Sequence, residues 1–283
     1  MRMQNLRAIR STGREFPGLA MAGAVLLAFA CNVDAGEDTG VALDYSAYAR
    51  MLSSFVDENG LVDYAGLASN RTDLDTFVHL LARLDPPATA RWSQAQQMAM
   101  WINAYNALTL KAVVDHYPVE SIKDIGSVFK SVWDKLTFDV MGRKVTLSHI
   151  EHEILRKQFS DPRIHLAINC ASVGCPPLAR EPFRADALDE QFAKQAEQFL
   201  SDPAKFRIRR SANTVHLSPI FKWFGMDFVP AYGSRKVRPG IGARENAALN
   251  YTADHVSTDD RAYLETGRFK VKYLDYDWGL NTQ

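Results

Sequence analysis

The chain has no surplus of charge: 33 basic and 33 acidic side chains cancel over 283 residues. No overall field draws in a polyanion, so nucleic acid is not an expected partner. Cysteine is scarce, with three in the whole chain, and a disulfide framework does not stand in for a core. None is needed, because 47% hydrophobic and 23% charged side chains at this length bury an ordinary core. Internal repeats, low-complexity tracts and Pro-, Gly- or Ser-biased linkers are missing too, so nothing divides the chain beyond its first thirty-odd residues. Long apolar runs are also lacking. The uncharged stretch Phe16 to Ala30 is about 15 residues, short of the roughly 20 that span a bilayer core.

That short run still carries information. It follows Arg2, Arg7, Arg10 and Arg14 and is trailed by small residues, the layout of a secretory signal. Cleavage is expected after Ala30 or Ala35, and we read 1–35 as signal peptide and 36–283 as a single domain. The protein is therefore expected to be exported, periplasmic or in the cell envelope, with no integral membrane segment after cleavage. Leu-Ala-Phe-Ala-Cys31 loosely resembles a bacterial lipoprotein box, which leaves a lipid anchor at Cys31 open. If processing removes Cys31, only Cys170 and Cys175 remain, and an oxidising compartment favours a disulfide between them.

Periodicity predicts an α+β fold: a predominantly helical single domain with a small, mainly antiparallel sheet and β-hairpins. Tyr45, Tyr48, Met51, Leu52 and Phe55, then Leu74, Phe77, Leu80, Leu81 and Leu84, predict an opening helical hairpin. Ser93 is placed to cap a helix that runs to about His116 and is apolar on nearly every face, hence buried all round. Leu136 to Leu147 alternates around Met141-Gly142 as a hairpin, and Ser148 with Glu151 has capping-box spacing for the next helix. Arg163 to Asn169 reads as a short buried strand. Further on we expect a helix from Ala185 to Leu200, a hairpin over Phe206 to Leu217, a polar helical segment to Thr266 and a last strand over Arg268 to Leu274.

Chemistry concentrates in His165-Leu-Ala-Ile-Asn-Cys170-Ala-Ser-Val-Gly-Cys175-Pro-Pro-Leu178. Three readings stay open. A catalytic thiol needs a cysteine with a lowered pKa, a base beside it and donors for an oxyanion. Cys170 at a strand end fits in outline, but His165 lies five residues away and an extended strand would point the two to opposite faces. His216, oriented by Asp275 or Asp277, is another candidate base. A metal site using His149 and His152 has neither Cys-x-x-Cys nor His-Glu-x-x-His spacing, so no metal and no cofactor is expected. The bland reading is a Cys170–Cys175 disulfide stiffened by Pro176-Pro177. Glu151 and Arg156 form either an ion pair or a solvated face. Asn103 and Asn106 share one side of the buried helix, where amides either tie down neighbouring backbone or point at a ligand.

Four ordered motifs, Trp101-Ile-Asn-Ala-Tyr-Asn-Ala-Leu-Thr109, Ile150-Glu-His-Glu-Ile-Leu-Arg156, Asp161 through Leu178, and Tyr276-Asp-Trp-Gly-Leu-Asn281, resemble the family catalogued as Domain of Unknown Function 547. That family carries no established activity. The resemblance implies a site shared by members at His165 and Cys170, since its plant members lack the counterpart of Cys175. The expected catalytic set is Cys170, His165 and Glu151, with Asn103, Asn106 and Asn169 binding substrate. The expected function is a cysteine-dependent hydrolase or acyl-transfer enzyme of the cell envelope acting on a small molecule or peptide. The alternative is a non-catalytic binding or scaffold protein with a Cys170–Cys175 disulfide. Mass spectrometry of the exported protein is expected to read a mature chain starting at Gly36, or at a lipidated Cys31. A chain still beginning at Met1 contradicts export processing.

Overall fold

The computed structural model describes residues 43–127 and 130–283. The expected signal segment and Cys31 lie outside the described residues. Helix Gln94–Val114 is the axis of the fold. Gln96 N–H donates to Ser93 Oγ at 3.2 Å and Ser93 N–H to Gln96 Oε1 at 2.7 Å, a reciprocal cap that starts the helix where the sequence places it. From Ala99 to Val114 every residue except Lys111 is buried, as an apolar helix without a polar face requires. Thr72–Arg83 packs on this axis and Ser46–Phe55 packs on Thr72–Arg83, with the short helix Tyr64–Ser69 between them in sequence. Tyr48 and Phe77 stack at 4.6 Å between ring centroids.

Strands β1 (Phe138–Val140) and β2 (Arg143–Val145) pair antiparallel across Met141 and Gly142, whose φ values are 54° and 68°. Two successive positive φ values are what a primed hairpin turn needs. Methionine is an unusual choice there, and tertiary contacts support it: Met141 N–H donates to Leu81 O at 2.9 Å and Gly142 N–H to Ala82 O at 3.0 Å. Strands β3 (Phe206–Arg209) and β4 (Thr214–Leu217) form the second hairpin, and β5 (Lys270–Tyr273) joins β4 in parallel. The fold is α+β and predominantly helical, with small, mainly antiparallel sheets. No helix among the described residues is long and apolar enough to cross a membrane.

Three expectations are corrected. Arg163 to Asn169 is not a strand: Asp161 accepts from Arg163 N–H at 3.0 Å, Pro162 occupies the first turn, and Pro162–Leu166 winds into a 3-10 helix. An Asp-Pro start presets helical φ, and no neighbouring strand offers the run a ladder. Ser148 is not a cap; Thr146 Oγ1 takes that role for Leu147–His149, and the chain continues as a π-helix over Ile150–Phe159. The polar segment before Thr266 is two helices, and the first, Ala243–Ala253, is buried in a second apolar cluster with Phe199, Phe221 and Phe228. Its asparagines face inward, where Asn250 Oδ1 accepts from the buried Arg238 guanidinium at 2.9 Å.

The central helix holds the cysteine segment through its amides. Asn106 Nδ2 donates to Ala167 O at 3.0 Å and its Oδ1 accepts from Asn169 N–H at 2.8 Å. Asn103 brackets Phe183 the same way, donating to its carbonyl at 2.8 Å and accepting from its N–H at 2.9 Å. Replacing Asn106 by Ala strands a buried carbonyl and a buried N–H, each costing about 1–3 kcal/mol. Urea unfolding should show a loss of about 3 kcal/mol for Asn106→Ala, and a loss under about 0.5 kcal/mol would contradict the clamp.

Candidate functional site

Beyond the 3-10 turn the chain reverses at Ala171, whose φ of 61° is left-handed. A non-glycine residue there costs on the order of 1 kcal/mol, and Ala171 is held by donating to Asn169 Oδ1 at 2.7 Å. The C-terminal tail then fastens the loop. Val173 N–H donates to Gly279 O at 2.9 Å and Gly174 N–H to Asp277 O at 2.8 Å. A side chain at Gly174 would run into the Asp277 backbone, so only glycine lets the tail come this close. Cys170 and Cys175 are disulfide-bonded across this loop.

The two sulfurs stand in the wall of a cavity of about 260 Å³. Cys170 is half-buried and Cys175 is buried. Cys170 Sγ lies 3.1 Å from Ser172 Oγ and 3.2 Å from Tyr276 Oη, and Tyr276 also donates to Cys175 Sγ at 3.2 Å. Burial pushes the Tyr276 hydroxyl above its ordinary value, which keeps it protonated and able to donate.

His165 lines the same cavity, so the objection raised by an extended strand falls with the strand itself. Its ring stacks on Phe224 at 4.2 Å, and its Nε2 lies 2.8 Å from Asp227 Oδ2. Its Nδ1 is buried without a hydrogen-bond partner among the described residues. Arg156 makes a fork onto Asp227 at 2.7 and 3.0 Å, so its ionic partner is not Glu151. Burial works to raise the Asp227 pKa, but the hydrogen bonds from His165 and Arg156 outweigh it and hold the carboxyl well below the usual range. Glu151 also lines the cavity, accepting from Tyr105 Oη at 3.2 Å through Oε2. Burial, then the Glu151 charge, pushes the Tyr105 hydroxyl well up.

The structure thus gathers Cys170, His165 and Glu151 on one cavity and leaves Asn103, Asn106 and Asn169 out of its wall. Asn169 spends its Nδ2 on Pro176 O at 2.8 Å, and all three amides serve backbone. His216, Asp275 and Asp277 are not part of the wall either. Sequence reasoning missed Asp227, Tyr276 and the aromatics Trp133, Trp223 and Phe224. The one available signal was the Tyr-Asp-Trp tail, where Trp278 turns out to be half-buried on the cavity rim. Among the described residues no group of three or more His, Cys, Asp or Glu side chains is arranged to hold a metal ion.

Fold and site together define a helical α+β protein with a disulfide-walled aromatic cavity. Residues 89–200 match the model of the family described as Protein of unknown function, DUF547. The matched stretch carries Tyr105, Glu151, His165 and both cysteines, whereas Trp223, Asp227, Tyr276 and Trp278 lie beyond it. No curated protein and no solved structure matches the chain.

Asp227 yields a pH prediction. Its folded pKa lies below its unfolded value, so the native state binds fewer protons and the stabilisation is whole above the unfolded value of about 4. It is lost as pH falls toward the folded value. Urea unfolding should show Asp227→Asn about 2 kcal/mol less stable than the native protein at neutral pH, with the gap narrowing from about pH 5 to pH 2. A gap that does not change with pH contradicts the assignment.

Proposed function

We propose that the protein is an exported, cysteine-dependent hydrolase or acyl-transfer enzyme of the cell envelope, with this cavity as its substrate site and Cys170 as its nucleophile. The observation that carries the reading is that Cys170 Sγ, half-buried in the cavity wall, has two hydroxyls within 3.1 and 3.2 Å. Hydroxyl donors favour a thiolate over a thiol, and the thiolate is the nucleophile. A histidine held by a carboxylate lines the same wall, the elements of an activated-nucleophile site.

The resting bridge must open first. A dithiol reductant supplies two electrons and two protons, leaves as its own disulfide, and frees thiols on Cys170 and Cys175. Cys170 then gives its proton to solvent, and the Ser172 and Tyr276 hydroxyls beside the sulfur favour the thiolate. The sulfur adds to the carbonyl carbon, and the departing amine or alkoxide takes a proton from solvent as its bond to the carbonyl breaks. Water then cleaves the thioester and returns the thiol. The compartment makes peptides and cell-wall fragments the natural substrates.

The closed bridge favours a second reading, a non-catalytic binding or scaffold protein of the envelope. The two readings separate with p-nitrophenyl acetate. The reduced protein should release a burst of one p-nitrophenol per chain, at least about tenfold faster than the urea-unfolded chain. The burst should vanish in Cys170→Ser and persist in Cys175→Ser. A burst that survives Cys170→Ser, or none at all from the reduced protein, leaves the scaffold reading standing.

A further inference from the structure

Among the described residues no lysine and no arginine lines the cavity, although these make up 33 residues of the chain. It does contain two carboxylates, Asp134 and Glu151, and a set of aromatic rings. Glu151 is only 8% exposed, yet no lysine or arginine among the described residues reaches ion-pairing distance of it. Among the described residues its one hydrogen bond is the 3.2 Å contact from Tyr105. His152 Nδ1 stands 3.9 Å from Oε1, but that nitrogen lies 3.2 Å from Arg156 Nη1. A guanidinium can only donate, so Nδ1 is the acceptor in that contact and offers Glu151 no proton. A largely buried carboxylate that opens on a cavity without a cation is a site short of its counter-charge.

The rings complete the argument. Trp223 is 45% exposed at the rim, stands 4.9 Å from Tyr276 between ring centroids, and stacks on Trp278 at 6.0 Å. Trp133 meets Trp278 edge-on at 6.0 Å. Aromatic faces attract cations through their quadrupoles, and indole does so most strongly. Two rings of this wall already show that behaviour: Lys123 Nζ sits 3.4 Å from the Trp278 centroid, and the Arg156 guanidinium sits 5.2 Å from Phe224. Neither cation lines the cavity, and Arg156 is neutralised by Asp227. Arg156 senses the Glu151 charge from beyond pairing distance, but among the described residues no lysine or arginine pairs with that carboxylate or covers the remaining faces of Trp133, Trp223 and Tyr276.

We infer that the cavity recognises a compact organic cation, an ammonium-bearing group caged by Trp133, Trp223 and Tyr276 with its charge met by Glu151. A substrate of the proposed enzyme would then carry an amine or alkylammonium close to its reacting carbonyl, as a basic peptide does. The inference rests on the cavity being the substrate site, not on Cys170 being the nucleophile.

Choline and its uncharged isostere 3,3-dimethylbutan-1-ol share a shape and differ in charge, and n-butylammonium with n-butanol makes a smaller pair. By calorimetry on the oxidised protein, at least one cation should bind about tenfold or more tighter than its neutral partner. Glu151→Gln should erase most of that preference, and Trp223→Leu, at an exposed position, should weaken cation binding about fivefold without lowering the melting temperature. Equal binding within both pairs overturns the inference, as does a preference that neither substitution changes. Cys170→Ser should keep the preference. Loss of the acyl burst therefore bears on the nucleophile alone, and loss of the preference bears on the cation site alone.

Discussion

The arrangement depends on one buried amide. Asn106, in the middle of an otherwise apolar helix, satisfies the carbonyl of Ala167 and the N–H of Asn169 together. Those two backbone groups belong to a stretch that has left regular structure, where each would otherwise be a buried orphan. With them fixed, Asn169 uses its own side chain to hold Ala171, the first residue inside the cysteine loop, and Pro176, the first beyond it. Asn281 extends the chain of amides: its Oδ1 accepts from Tyr64 Oη at 2.8 Å and its N–H reaches Ala171 O at 3.3 Å. The first helices, the axis, the cysteine loop and the last residues of the chain are thereby tied to one another by polar groups in an apolar setting. The effective dielectric there is low and partners are not replaceable by water.

This framework decides the chemistry that the wall can offer. The tail lies against the loop because Gly174 has no side chain, and it carries Tyr276 to the sulfurs. The 3-10 turn brings His165 to the same wall, where Asp227 and the Phe224 ring fix its orientation. Arg156 is bound to Asp227, and among the described residues no lysine or arginine reaches ion-pairing distance of Glu151. A disulfide, a carboxylate-held imidazole and a carboxylate with no lysine or arginine in pairing distance among the described residues therefore meet in one aromatic cavity.

Much of the fold was legible in sequence. The N-cap at Ser93, the burial of the central helix and both hairpins follow from local rules, and local geometry realises them. The segment before Cys170 was misread because a short apolar run has the same periodicity whether it is a strand or a turn of helix, and the Asp161-Pro162 start decided it. Cys170, His165 and Glu151 were visible as residue types. Their partners were not: Asp227 is 62 positions from His165 and Tyr276 is 106 from Cys170, and no local pattern encodes contacts at that separation. The asparagines were found but their alternatives were not separable, since a buried amide that serves backbone and one that serves a ligand look alike in sequence.

The central claim is that the cavity wall activates Cys170 as a thiol. The pH dependence of iodoacetamide alkylation in reduced Cys175→Ser protein tests it most directly, because Cys170 is then the lone cysteine of the cavity. The account predicts an apparent thiol pKa clearly below the ordinary value of about 8.5, rising toward that value in Tyr276→Phe. A pKa at or above about 8.5, or one indifferent to the loss of the Tyr276 hydroxyl, would contradict it.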